Sequence, residues 1–128
     1  MKMEYAVALS LMTGIAIGAV AIDRLHAQAK PPVYVVAEVD VTNPEAYAKE
    51  YVPKAIATNT AAGVHFLARG GKVTALEGEP PKSRIVIQQW DSLEKVQAAR
   101  NSAEYKEARK IGDKYAKFRA YAIEGLPQ

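Results

Sequence analysis

The chain has 128 residues, 49% of them hydrophobic and 24% charged, with a net charge of +3 at pH 7, the balance of one ordinary globular domain and not of a disordered segment. It contains no cysteine, which excludes disulfide frameworks, CxxC redox motifs and thiolate metal sites. Lysine and arginine are interspersed with glutamate and aspartate along its length, so the mild basicity does not form the clustered patch that a nucleic acid requires.

The N-terminus differs from the rest. Lys2 begins a stretch in which Tyr5 to Ile22 carry no charge over 18 residues. Ala27, Gln28 and Ala29 then form the small-x-small pattern of a signal-peptidase site. Residues 1–29 are therefore expected to be a signal peptide cleaved after Ala29, leaving residues 30–128 as a single domain that is periplasmic or secreted. The alternative is an uncleaved inner-membrane anchor facing the periplasm, since 18 apolar residues lie at the lower limit for crossing a bilayer. Lys2 and Arg24 offset Glu4 and Asp23, so the mature domain keeps the whole +3.

From residue 33 the elements follow in a clear order. "VYVVAEVD", Val33 to Asp40, is a β-branched stretch with the alternation of a half-buried strand. Asn43 and Pro44 then provide an N-cap and a first helical residue, Glu45 complements the helix dipole, and Gly63 suits the C-terminus. Pro53 predicts a kink or restart inside this helix. A strand from Val64 to Arg69 leads to Gly70 and Gly71, which permit a bulge or a positive φ. "KVTAL" resumes a strand pattern, and "EGEPPK" reads as a turn onto a further strand, "RIVIQQW". Asp91 or Ser92 caps a short helix, Asn101 or Ser102 begins another running to about Lys117, and Phe118 to Gly125 closes the order as a strand.

This is β-α-β-β-α-β, a ferredoxin-like α+β fold with an antiparallel sheet. Alternation assigns Val33, Val35, Ala37, Val64, Phe66, Ala68, Ile85, Ile87, Phe118, Ala120 and Ala122 to the helix-covered face. It leaves Tyr34, Val36, Glu38, His65, Leu67, Arg69, Arg84, Val86, Gln88, Trp90, Arg119, Tyr121 and Ile123 on the opposite face. That face is too apolar for water and too charged for a dry core, so a sheet-to-sheet homodimer enclosing a polar-lined cavity is expected. A domain of this size buries only about two-thirds of its chain surface alone, which also favours association.

The segments "YVVAEVDVTNPEAYAKEYVPK", "FLARGGKVTALEGEPPKSRIVI", "SLEK", "NSAEYKE" and "EGLPQ" resemble those of the domain of unknown function 1330 (DUF1330), within the dimeric α+β barrel superfamily. The resemblance implies a dimeric barrel and leaves the activity undefined, because relatives in the superfamily include cofactor-free monooxygenases, haem-dependent enzymes and muconolactone-isomerase-like proteins. Arg69, Gly70 and Gly71, Leu76, Glu77 and Gly78, and Ser102 with Tyr105 match the family pattern. Ala99 and Arg100 stand where an aromatic pair is usual, and Gln89 where many members have glutamate.

The candidate ligand-binding residues are Arg69, His65, Trp90, Tyr105, Tyr34 and Arg84. Arg69 can clamp a carboxylate or phosphate, or salt-bridge Glu77 or Glu79. His65 is a weak candidate for a catalytic base; a packed, hydrogen-bonded imidazole is the bland alternative. Trp90, Tyr34 and Tyr121 can stack on an aromatic ligand or pack a dimer interface. Tyr105 can donate into a cavity or anchor its helix. Glu38 with Arg84 or Arg119 makes an acid–base site or an interface ion pair. No Ser-His-Asp set, phosphate loop or metal-ligand cluster can be assembled, and no cofactor is expected.

Three classes remain. One is an exported binder, or cofactor-free enzyme, for a small acidic or aromatic molecule. Another is a non-catalytic interaction dimer without a ligand site. The third, a nucleic-acid module, would need RNP-like paired aromatics that the chain lacks.

Overall fold

Asn43 opens the first helix as expected: its side-chain oxygen accepts from the Ala46 amide at 3.2 Å and Pro44 follows at the first turn. The structure, a computed structural model, describes residues 30–128, of which Pro31–Leu126 forms one compact unit. The expected signal peptide or anchor and its cleavage site lie outside the described residues. Among the described residues, no helix is long and apolar enough to cross a membrane.

The elements are β1 (Val33–Val41), α1 (residues 44–61), β2 (His65–Arg69), β3 (Arg84–Trp90), α2 (Leu93–Arg100), α3 (Ala103–Gly112) and β4 (Ala116–Glu124). They form one antiparallel sheet of order β2-β3-β1-β4, the ferredoxin-like α+β arrangement. Ser92 and Ser102 cap α2 and α3, and Ser102 also donates to the Ala99 carbonyl at 2.6 Å, joining the end of one helix to the start of the next. Two core clusters lie between sheet and helices, one around Val39, Tyr47, Tyr51, Ala108 and Ala116, the other around Val33, Val35, Trp90 and Val96.

Pro53 has the predicted effect. Helix α1 starts as a short turn, Pro44–Ala46, widens into a π-helical turn, Tyr47–Tyr51, and restarts as Val52–Ala61. Proline lacks the amide that the fourth residue back would accept from, and a widened turn accommodates the break. Tyr47 and Tyr51, at the two ends of the widened turn, both enter the core, their rings 5.2 Å apart.

Three expectations are corrected. "KVTAL" forms no strand: residues 70–83 are irregular, and Leu76 is 92% exposed. Gly70, at φ +70°, turns the chain away from β3 immediately after Arg69 and ends the pairing. The last helix stops at Gly112, short of Lys117, because the Tyr115 carbonyl accepts from the Thr42 and Asn43 amides at 2.8 and 3.2 Å and draws the chain into pairing with β1.

The third correction concerns the faces. Cross-strand partners share a face, and β1 pairs Val33 with Trp90, Val35 with Gln88, Ala37 with Val86 and Val39 with Arg84. Since Val33, Val35 and Val39 are buried under the helices, Arg84, Val86, Gln88 and Trp90 belong to the helix-covered face, and Ile85 and Ile87 to the open one. Strand β2 changes phase midway. Phe66 pairs with Gln88 and Ala68 with Ile87, leaving Leu67 as a bulge. Beyond the bulge Ala68 moves to the open face and Arg69, opposite Val86, to the helix-covered face. The assignments on β1 and β4 stand, with Phe118 opposite Val39 and Arg119 opposite Glu38.

Candidate functional site

Between the sheet and the helices runs a partly open pocket. Its floor is the helix-covered face of the sheet, including Phe66, Arg69, Arg84, Gln88, Trp90 and Phe118; α1 supplies Tyr47, Tyr51 and Asn59, and the α2–α3 layer supplies Arg100, Tyr105 and Arg109. Four arginines line it, and no aspartate, glutamate, histidine or lysine does.

The arginines are held by aromatic faces and backbone. The Arg69 guanidinium lies over the Phe66 ring at 4.5 Å, a contact made possible by the bulge that puts both on one face. Arg84 lies 5.5 Å from the Tyr47 ring and packs against Gly70, where a Cβ would stand 2.8 Å from Arg84 Nη1. Gly70 is required by its positive φ. Arg109 stacks on Phe118 at 3.8 Å, donates from Nη1 to Tyr105 Oη at 3.2 Å and pairs through Nη2 with Asp113 at 3.3 Å. Arg100 lies 5.3 Å from the Tyr105 ring. The Nε groups of Arg84 and Arg109 are buried without a hydrogen-bond partner, which is costly unless a ligand or water accepts from them.

The neutral groups complement this cationic lining. Trp90 Nε1 donates to Gln88 Oε1 at 2.9 Å; an indole N–H can only donate, so Gln88 is oriented with its amide nitrogen left to donate elsewhere. Burial raises the pKa of Tyr47, against the lowering influence of Arg84 and Arg109, and burial likewise raises that of Tyr51. Both are phenol donors at neutral pH. Burial works against the charge of Arg109, but Tyr105, Tyr51 and Asp113 outweigh it and its pKa is raised.

Of the residues singled out from the sequence, Arg69, Arg84, Trp90 and Tyr105 line the pocket, although the first three were assigned to the wrong face. The expectation that Arg69 looks out from the open face fails, and it forms no ion pair with Glu77 or Glu79. Tyr34 and His65 are on the open face; His65 is exposed and opposite Gln89. Glu38 pairs with Arg119 at 2.5 Å, also on the open face and away from Arg84. Sequence reasoning missed Tyr47, Tyr51, Gln88, Arg100 and Arg109 as site residues. One signal was available: Tyr105, Ala108, Arg109 and Gly112 form a helical stripe in which an arginine occupies a core-facing position. Among the described residues, no three histidine, cysteine, aspartate or glutamate side chains come together as metal ligands would.

An antiparallel sheet of this order, carrying helices on one face and a pocket beneath them, defines a ferredoxin-like α+β protein. The model for the domain of unknown function DUF1330 matches residues 32–126, and the chain belongs to that family. Among solved structures, RPA0582 from Rhodopseudomonas palustris is 16% identical, with 83% of this chain and 90% of that one covered at a TM-score of 0.62. SnoaB, a cofactor-independent oxygenase from Streptomyces nogalater, is 11% identical over 77% of this chain and 96% of that one, with a TM-score of 0.56. HapK from Hahella chejuensis is 10% identical over 75% and 94%, with a TM-score of 0.57. At these identities the likeness is one of fold. No curated protein matches the chain.

Proposed function

We propose that the protein binds a small organic anion in the pocket between sheet and helices of each subunit. One observation carries this reading: the buried Nε groups of Arg84 and Arg109 lack partners in a pocket whose lining holds four guanidinium groups and no acid. A carboxylate, or an equivalent acidic group, supplies the missing acceptors and charge together, while Trp90, Phe118 and Tyr47 offer apolar faces for its carbon skeleton. Binding is favoured over turnover because the lining has no histidine, lysine, aspartate or glutamate to take a proton near neutral pH. A purely structural dimer would leave these buried donors unexplained.

Two further parts of the reading concern context. The chain pairs with a second copy through its open sheet face, where Ile87, Val36 and Tyr121 lie side by side across three strands. The segment before Lys30 exports the domain, on the strength of its uncharged run and its Ala-Gln-Ala site.

Calorimetric titration with benzoate tests the binding site. Wild-type protein binds it, and at least one of Arg84→Gln and Arg109→Gln weakens binding about tenfold or more, the worth of one charge-assisted hydrogen bond. Benzoate binding that both substitutions leave unchanged removes the site from this pocket.

A further inference from the structure

The four guanidinium groups are organised as two pairs on two layers. On the sheet, Arg69 and Arg84 come from neighbouring strands and meet at Gly70, the residue after one and the packing surface of the other. On the helices, Arg100 and Arg109 flank Tyr105, one over its ring and the other hydrogen-bonded to its hydroxyl. Each pair contains one buried Nε without a partner, Arg84 in the first and Arg109 in the second. A single carboxylate has two oxygens and one charge. It satisfies one such pair and leaves the other desolvated and uncompensated.

Asp113 is the sole acidic partner of the four among the described residues, and it reaches Arg109 from outside the pocket lining. With that neutralisation granted, more than one positive charge remains inside.

Building on the proposed anion site, we infer that the ligand is two-headed: a small organic acid with two separated carboxylate-like groups, one at Arg69 and Arg84 and the other at Arg100 and Arg109. The aromatic rings between the pairs, Tyr47 and Phe118, whose centroids are 6.5 Å apart, receive its apolar middle.

The test is a calorimetric comparison on the intact protein of benzoate, isophthalate, terephthalate and phenyl phosphate, the last carrying two charges on one head. The expected result is that at least one dicarboxylate binds ten-fold or more tightly than both benzoate and phenyl phosphate. Arg84→Gln or Arg109→Gln lowers that dicarboxylate to the affinity of benzoate, and Arg100→Phe reduces its advantage. Circular dichroism confirms that each variant is folded; if one is not, the ligand comparison on the wild type decides alone. Phenyl phosphate binding as tightly as the dicarboxylates overturns the two-headed ligand in favour of a single doubly charged group. Dicarboxylates no tighter than benzoate overturn it while leaving an anion site in place. Binding of none of the four rejects both readings together.

Discussion

Tyr51 is 7% exposed in the pocket wall, and its hydroxyl is held protonated beyond the ordinary value of 10.0, by burial first, then by Tyr105, with Arg109 opposing. The unfolded chain ionises this group near its ordinary pKa while the folded chain does not. Stability is therefore fully present below about pH 10 and is lost as pH rises from there toward the folded value. Tyr51→Phe removes that linkage and shifts the alkaline end of the stability profile upward, which thermal unfolding measured between about pH 8 and pH 12 detects. Tyr47, also raised by burial, retains its own share, so the variant shows a partial gain. An alkaline limb unchanged by the substitution would exclude Tyr51 as the group responsible. The same residue scale explains the Arg-Gly-Gly segment: Gly70 is where the chain needs a positive φ.

At the scale of elements, the decisive feature is the bulge at Leu67. Alternation alone put Arg69 with His65 and Leu67, and one unpaired residue reverses everything after it. Deleting Leu67 removes the bulge and leaves a regular ladder in which Arg69 stays opposite Val86 on the helix-covered face. The expected outcome is a folded protein that keeps its affinity for an aromatic carboxylate, whereas Arg69→Gln lowers it about tenfold, the contribution of one charge-assisted contact; affinity retained by Arg69→Gln would show that Arg69 takes no part. Strand β3 was misread for a related reason. Arg84, Ile85, Val86, Ile87 and Gln88 contain three successive apolar residues, so the placement of polar residues outward chose the phase. The structure buries Gln88 at 9% exposure and half-buries Arg84. A polar pocket under the helices inverts the pattern that a dry core would show, and local rules fail where a site has been built.

For the whole molecule, the open face presents Tyr121 at 46% and Ile123 at 59% exposure, with Ile85 and Ile87 on the same face. The proposed pairing with a second copy would cover this surface. Light scattering on a sizing column is expected to give a dimer, and Tyr121→Asp, which places a charge on β4 beside Val36 and Ile87, a monomer. A wild-type monomer would reject this pairing. The pocket beneath the helices does not depend on it, because its lining comes from one chain.

Element order and fold class were legible from local physics: β-branched alternation in β1, the Asn43-Pro44 start of α1, its break at Pro53, and serine caps on α2 and α3. These signals operate within a few residues of one another, so the sequence by itself determined them. The side of the sheet to which Arg69, Arg84, Gln88 and Trp90 belong was decided only in the tertiary structure. It depends on the register of β3 against β1, whose partners are about fifty residues apart along the chain, and on one bulged residue in β2, whose partners in β3 are about twenty residues away. The convergence of four arginines on one pocket has the same origin, since two strands and two helices bring together guanidinium groups that the chain itself keeps apart.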